Sequence, residues 1–347
     1  MNPQRLQQIT DRYSDLRIAV LGDFCLDRYL EIDPSRRETS LETALPVYNV
    51  TQVRAQPGGA GTVLANVVAL GVGQIVPLGF AGDDGEGFEL TRALRALPGV
   101  QMDSFLATPL RRTFTYCKPL VVEPGQPPRE LNRLDSKNWT ATPRAVEDHL
   151  IAALWQQAPR IDALIVMDQV DVANTGVVTN RLLEALGAIA RERPQLRILA
   201  DSRRGLAGYP AVCLKMNRAE LGVLLGGRTP TDVAEAKNAA CQLARQNGRD
   251  VFVTLAEQGL LGATPDGQVM HLPALPVRGE IDIVGAGDSV TANLTVALAA
   301  GASLSEALEL AGAASSVVIH QLGTTGTASV RQIAEALGQS AACGATR

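Results

Sequence analysis

No Cys-x-x-Cys pair occurs in this sequence, and its five cysteines, Cys25, Cys117, Cys213, Cys241 and Cys343, stand far apart. An odd, scattered set excludes a disulfide framework and a structural zinc site, and fits a cytoplasmic protein in a reducing cytosol. The three histidines, His149, His271 and His320, share no metal-ligand spacing. Basic runs are missing too. The formal net charge is −4, and the doublets Arg36/Arg37, Arg111/Arg112 and Arg203/Arg204 read as solvated loop charge, so no nucleic-acid partner is expected. Residues 1–16 are charged and read as an amphipathic helix, not as a signal peptide. The one long uncharged stretch, 56–82, is broken by glycines, Pro57, Asn66, Gln74 and Pro77. It reads as helix, turn and buried strand, not as a membrane span.

What is present is an ordinary globular balance, 46% hydrophobic and 20% charged over 347 residues, enough to bury a large core. Short apolar runs at 17–21, 75–81, 163–167, 196–200 and 251–255 read as strands. Between them, 59–70, 85–97 and 177–192 read as helices. That alternation predicts βαβ units and a mostly parallel sheet with helices on both faces. Two segments, 29–53 and 103–134, lack helical periodicity and read as extended strands outside the main sheet, a β-layer over one edge. No linker or repeat divides the chain, which predicts a single domain over 1–338 and a loose tail from 339 to 347.

The most informative run is Asp282-Ile283-Val284-Gly285-Ala286-Gly287-Asp288-Ser289, followed by an apolar helix over 290–300. Small residues there allow a tight turn that gathers backbone N–H groups at a helix N-terminus, an anion site. A carboxylate among such donors repels phosphate, but it makes sense as a base that takes a proton from a hydroxyl attacking a phosphoryl group. A glycine-rich turn with Asp288 as a helix cap explains the run equally well when it is taken alone. The run 56–62, with Gly58 and Gly59, opens a helix and lets a ligand approach the backbone. Asp23 and Asp27, four apart near a strand end, suit hydrogen bonds to a polar ligand. Asn217 and Glu220 suit either water-coordinated Mg²⁺ or a plain helix cap.

Taken together these stretches resemble the ribokinase-like (PfkB) carbohydrate kinases over roughly residues 15–338. Gly58-Gly59, Asn66, Gly71 and the run 82–87 are similar to that family's N-terminal signature. Residues 282–288 are similar to its C-terminal signature, and Asn217-x-x-Glu220 to its magnesium-associated motif. Runs such as Asn132-Arg133-Leu134-Asp135 and 253–259 are most similar to its heptose 7-phosphate kinases. The resemblance implies a ribokinase-like three-layer α/β sandwich with a small β-stranded lid. It implies ATP-dependent phosphorylation of a sugar hydroxyl, with Asp288 as base and the N–H groups of Ala286, Gly287 and Asp288 on the transferring phosphoryl. It also implies a sugar near Asp23, Asp27, Gly58, Gly59 and Thr62, and ATP with Mg²⁺ near Asn217, Glu220, Thr254, Gly259, Gly285 and Gly287. A homodimer formed through the lid is the one macromolecular partner expected.

Three positions depart from the family. Thr62 stands where an Asn usually touches the sugar, and Ile283 where a Thr is usual. Asp168-Gln169-Val170-Asp171-Val172 replaces an Asp-Tyr-x-Lys-Gly run, which sets a carboxylate where a lysine is expected. Facing a substrate phosphate at ~5 Å, Asp171 would repel it by roughly 3 kcal/mol at an effective dielectric of about 20. Arg28, Arg36, Arg37, Arg111 and Arg112 are the residues expected to offset this. A kinase for another sugar, a polyol or a nucleoside, and a binding protein without turnover, stand as the alternatives.

Overall fold

Ile18 and Val20 are buried in one hydrophobic cluster, Ala19 and Leu21 in another. This is the period-two alternation of a strand covered on both faces. The structure, a computed structural model, describes residues 1–344. Along the chain run α1 (Pro3–Thr10), β1 (Arg17–Gly22), β2 (Phe24–Ile32), β3 (Glu38–Thr39), β4 (Pro46–Val47), β5 (Val50–Gly59) and α2 (Ala60–Ala69). Next come β6 (Gln74–Gly82), α3 (Gly85–Arg95), β7 (Phe105–Thr108), β8 (Phe114–Val121), β9 (Arg129–Glu130), β10 (Leu134–Ser136) and α4 (Arg144–Gln157). Then follow β11 (Ala163–Asp168), α5 (Asn180–Glu192), β12 (Arg197–Ser202), β13 (Cys213–Asn217), α6 (Arg218–Leu224) and α7 (Val233–Asn247). The last segments are β14 (Val251–Thr254), β15 (Leu260–Ala263), β16 (Val269–Leu272), α8 (Ala286–Ala299), α9 (Leu304–Val318) and α10 (Val330–Gly344).

The main sheet has the order β16-β15-β14-β13-β12-β11-β1-β6-β7. Its strands are parallel from β14 to β7, while β15 and β16 are antiparallel. One face is covered by α2, α8 and α9, which share a core with Ile18, Ile165 and Met167. The other is covered by α4, α5 and α7, whose buried positions recur at helical spacing, as Leu182, Leu186, Ile189 and Ala190 do on α5.

A second sheet, ordered β10-β8-β2-β5 with β9 paired to β8, forms the lid. Its extent differs from the expected one: β3 and β4 form a two-stranded sheet of their own, and β5 and β10 run on to Gly59 and Ser136. The lid begins at Phe24, with Asp23 alone between it and β1, and the chain passes there into the second sheet. Within 103–134, Phe105–Thr108 pairs with β6 and extends the main sheet. The helix read as 290–300 begins four residues earlier, at Ala286, so its first turn lies inside the glycine run. The stretch expected as a loose tail falls on the end of α10 and on 345–347, which lie outside the described residues.

Candidate active site

Gly285 adopts φ +83° and caps α8, a backbone state that glycine reaches without strain. The Ala286 N–H turns back to the Ile283 carbonyl at 3.2 Å, so the anion site narrows from the three donors expected to those of Gly287 and Asp288. Both lie in the first turn, where no intrahelical acceptor exists. Lys215 reaches this turn from β13: a Cβ added to Gly287 would come within 3.1 Å of its Nζ. The ammonium is ion-paired to Asp201 Oδ2 at 2.6 Å, and Thr291 Oγ1 donates to the same oxygen at 3.3 Å. Burial works to lower the Lys215 pKa, but Asp201, with Asp288 and Glu220 behind it, turns the net shift upward, so this lysine is charged. Asp288 is pushed up to about 7, by burial first and by the charge of Asp201 next, with Lys215 and Arg203 pulling it back. A carboxyl poised near neutrality beside two free N–H donors and a fixed ammonium can exchange a proton with a hydroxyl while an anion sits at the helix end.

The parallel register brings Asn217 and Thr254 side by side at the C-terminal ends of β13 and β14, the edge where open α/β sheets bind ligands. Asn217 Oδ1 accepts from the Glu220 N–H at 3.0 Å, and Glu220 Oε2 accepts from the Asn217 N–H at 2.7 Å. This is a complete capping box on α6, which leaves Glu220 Oε1 unengaged. Gly259 has φ +95°, and a Cβ there would lie 2.0 Å from the Leu272 carbonyl oxygen. Its backbone turn into β15 accounts for the glycine.

The residues expected near the sugar gather where β1, β2 and β5 meet, but several are engaged by protein. Asp23 is buried, and its Oδ1 and Oδ2 accept the N–H groups of Val177 and Gln169 at 2.6 and 2.8 Å, fixing the loop after β11. It shapes that loop. Asp27 is paired with Lys118 at 3.4 Å, while burial raises its carboxyl pKa. A Cβ on Gly58 would meet Asp27 Oδ2 at 2.5 Å, and one on Gly59 would meet the Asp23 carbonyl at 2.6 Å. Close approach of the chain to itself explains both glycines, where close approach of a ligand was expected. Thr62 lies on the first turn of α2 and is 2% exposed.

A shallow cleft opens beside them, lined by Cys25, Tyr116, Lys137, Trp139 and Asp171 among others. Asp171 is not a bare negative charge: Lys137 Nζ lies 2.7 Å from its Oδ2 and Arg203 Nη1 3.7 Å from its Oδ1. The hydrogen bond from Lys137 holds its carboxyl below the usual carboxylate range. Among the arginines expected to supply this offset, Arg111 is buried and donates to the Thr140 and Thr175 carbonyls. Arg28 is bonded to Glu89, and Arg36 is paired with Asp33. Arg204, read as solvated, is bonded to the buried Asp168 at 2.6 Å. The sequence reading missed Lys215, Asp201, Lys137 and Arg203. One signal was legible: Lys215 sits in the otherwise apolar run Cys213-Leu214-Lys215-Met216, and a lysine buried in a strand needs a partner or a task.

Comparison with known proteins gives a family and a fold. The family model described as pfkB family carbohydrate kinase matches residues 17–331. The chain is similar to the bifunctional protein HldE of Azorhizobium caulinodans, 34% identical over 88% of this chain and 61% of that protein. It is also similar to HldE of Rhodospirillum rubrum, 32% identical over 92% of this chain and 62% of that one. It thus spans about three fifths of the length of these relatives. Among solved structures, phosphofructokinase-2 from Escherichia coli, in complex with substrates and products, superposes with a TM-score of 0.70 at 21% identity, covering 94% and 99% of the two chains. Arabidopsis thaliana ribokinase, complexed with ribose and ATP, gives 0.67 at 17%, covering 93% and 98%. Both have the same ribokinase-like fold.

Proposed function

The chain belongs to the pfkB family of carbohydrate kinases, phosphotransferases with an alcohol group as acceptor, and on that premise we propose that it phosphorylates heptose 7-phosphate to the 1,7-bisphosphate with ATP. The observation that carries the chemistry is Asp288, held near pH 7 in its proton affinity beside the free N–H groups of Gly287 and Asp288 and the ammonium of Lys215. Asp288 takes the proton of the acceptor hydroxyl as that oxygen attacks the terminal phosphorus of ATP. The two N–H groups and Lys215 stabilise the charge on the transferring group, preorganised electrostatics of the kind that dominates such reactions. ATP lies along the ends of β13 and β14, by Asn217, Thr254 and Gly259, and the sugar lies between lid and sheet by Asp27, Gly58, Gly59 and Thr62.

Mg²⁺ fits this site through Glu220. Among the described residues no group of three or more His, Cys, Asp or Glu side chains is placed to hold a metal. However, the free Oε1 of Glu220 can hold a water of an ion bound mainly by ATP, with Asn217 beside it. When bound, the ion neutralises charge on the ATP oxygens.

The choice of heptose phosphate is supported by the similarity to HldE proteins and by the cations around Asp171. Exposed apolar residues on the lid, among them Val50, Val53 and Leu134, support pairing with a second copy, and the free cysteines support a cytoplasmic setting. The test is ATP consumption against a panel of phosphorylated and unphosphorylated sugars, with heptose 7-phosphate expected to give the highest kcat/KM. A better acceptor of another class replaces the heptose assignment, and turnover of none of them removes the kinase reading.

A further inference from the structure

The ion pair between Lys137 and Asp171 joins two elements that the chain keeps apart. Lys137 follows the last lid strand, β10, whereas Asp171 stands in the loop after β11, the loop that Asp23 fastens. Both line the same cleft, and Lys137 is held over the Tyr116 ring at 5.7 Å, with the exposed Trp139 two residues on. Arg203, from the end of β12, approaches the other carboxylate oxygen of Asp171. Counted as charges, the cluster is two cations to one anion. None of the three is deeply buried: their side chains are 23%, 46% and 51% exposed for Lys137, Asp171 and Arg203. Partly exposed ion pairs of this kind contribute little to stability, so the arrangement is cheap to open. The charge of Arg203 is also among those that act on Asp288.

We infer that Lys137 and Arg203 are the specificity-determining residues of this kinase, binding an anionic group on the acceptor sugar remote from the hydroxyl that faces Asp288. Asp171 is the internal stand-in for that anion. When an acceptor phosphate enters, Lys137 exchanges its bond to Asp171 for one to phosphate, and the exchange draws the end of the lid onto the substrate. A sugar without the anion leaves the Lys137–Asp171 pair closed and meets only the apolar and aromatic walls of the cleft. Lys137 thus supplies from the lid the cation missing at position 171 of the core. The inference rests on the kinase reading above and adds to it the residues that read the acceptor's charge.

The experiment takes the best acceptor found in the sugar panel and compares its phosphorylated and unphosphorylated forms. The readout is the ratio of their kcat/KM values at saturating ATP, for wild type, Lys137→Met, Lys137→Arg and Asp171→Asn. Expected is a fall in the ratio of about 10- to 100-fold for Lys137→Met, the effect of one charge-assisted hydrogen bond to an anion. Lys137→Arg should restore most of it, and Asp171→Asn should raise it, because the competing carboxylate is gone. A ratio unmoved by Lys137→Met overturns the inference and leaves the kinase reading intact. So does a wild type that prefers the unphosphorylated sugar. Turnover of neither form overturns both.

Discussion

Lys215 Nζ and Asp201 Oδ2 lie 2.6 Å apart beside the first turn of α8, so the ammonium at that turn is anchored to the sheet. The pair is almost fully buried, with side-chain exposures of 8% and 14%. In such surroundings, removing one member leaves the other uncompensated at a cost of about 3–5 kcal/mol. Lys215→Met should therefore lower the midpoint of thermal unfolding as well as kcat. It should also move the acidic limb of the pH–rate profile to higher pH, because the cation that opposes Asp201 at Asp288 is lost. An unmoved limb would mean that Lys215 supports the fold alone.

Asp288→Asn keeps size and shape while removing the base. Expected is a drop in kcat of ~10²-fold or more, with ATP and sugar binding largely retained. Equilibrium dialysis of ATP alongside steady-state kinetics checks both halves, and a near-normal kcat would reassign the base.

The pH dependence follows from the raised affinity of Asp288 for its proton. As a base the carboxyl must be ionised, and its pKa is pushed up to about 7. Below that value the folded enzyme carries it increasingly protonated, and above it ionised. The logarithm of kcat/KM should then be level above about pH 7 and fall with unit slope below, well above the range of an ordinary aspartate. A limb near pH 4 would show that the desolvation of this site is relieved in solution.

Glu220→Gln retains an oxygen for the capping box but not the charge. The Mg²⁺ concentration for half-maximal activity should rise severalfold while the unfolding midpoint moves little. An identical Mg²⁺ titration would leave Asn217 and Glu220 as a cap and nothing more.

Gly259→Ala is expected to destabilise the fold by more than 1 kcal/mol, since φ is +95° and the new methyl carbon would fall 2.0 Å from a carbonyl oxygen. Urea unfolding reads this directly. A neutral result would require the β15–β16 hairpin to shift.

The sheet was legible because its strands are short apolar runs whose neighbours alternate between two cores, as residues 18–21 do. Strand β7 was not: Phe105–Thr108 is only four residues long, and its pairing with β6 is fixed by the turn through Ser104. Asp288 and the Asn217/Glu220 pair could be found because turn and cap chemistry is local. The charge at Asp171 could not be judged locally. Its partners Lys137 and Arg203 come from 34 residues before and 32 after, and the three meet only because the lid edge and the β12 end converge there. Asp23 misled for the same reason, since the N–H groups that occupy it belong to residues more than 140 positions away.

The crossing from sheet to lid at Asp23 has a mechanical side. The chain leaves the sheet there and returns from β5 into α2, and the two crossings are tied by the Ala60 N–H on the Asp23 carbonyl at 3.0 Å. A second tie joins the core to the start of β8, where Thr113 gives both its N–H and its hydroxyl to Asp84, at 3.0 and 2.6 Å. Arg28 on β2 is bonded to Glu89 of α3 and Gln56 on β5 to Thr325, so the small sheet is fastened to the core at several points, and Lys137 adds an exposed one beyond β10 through Asp171.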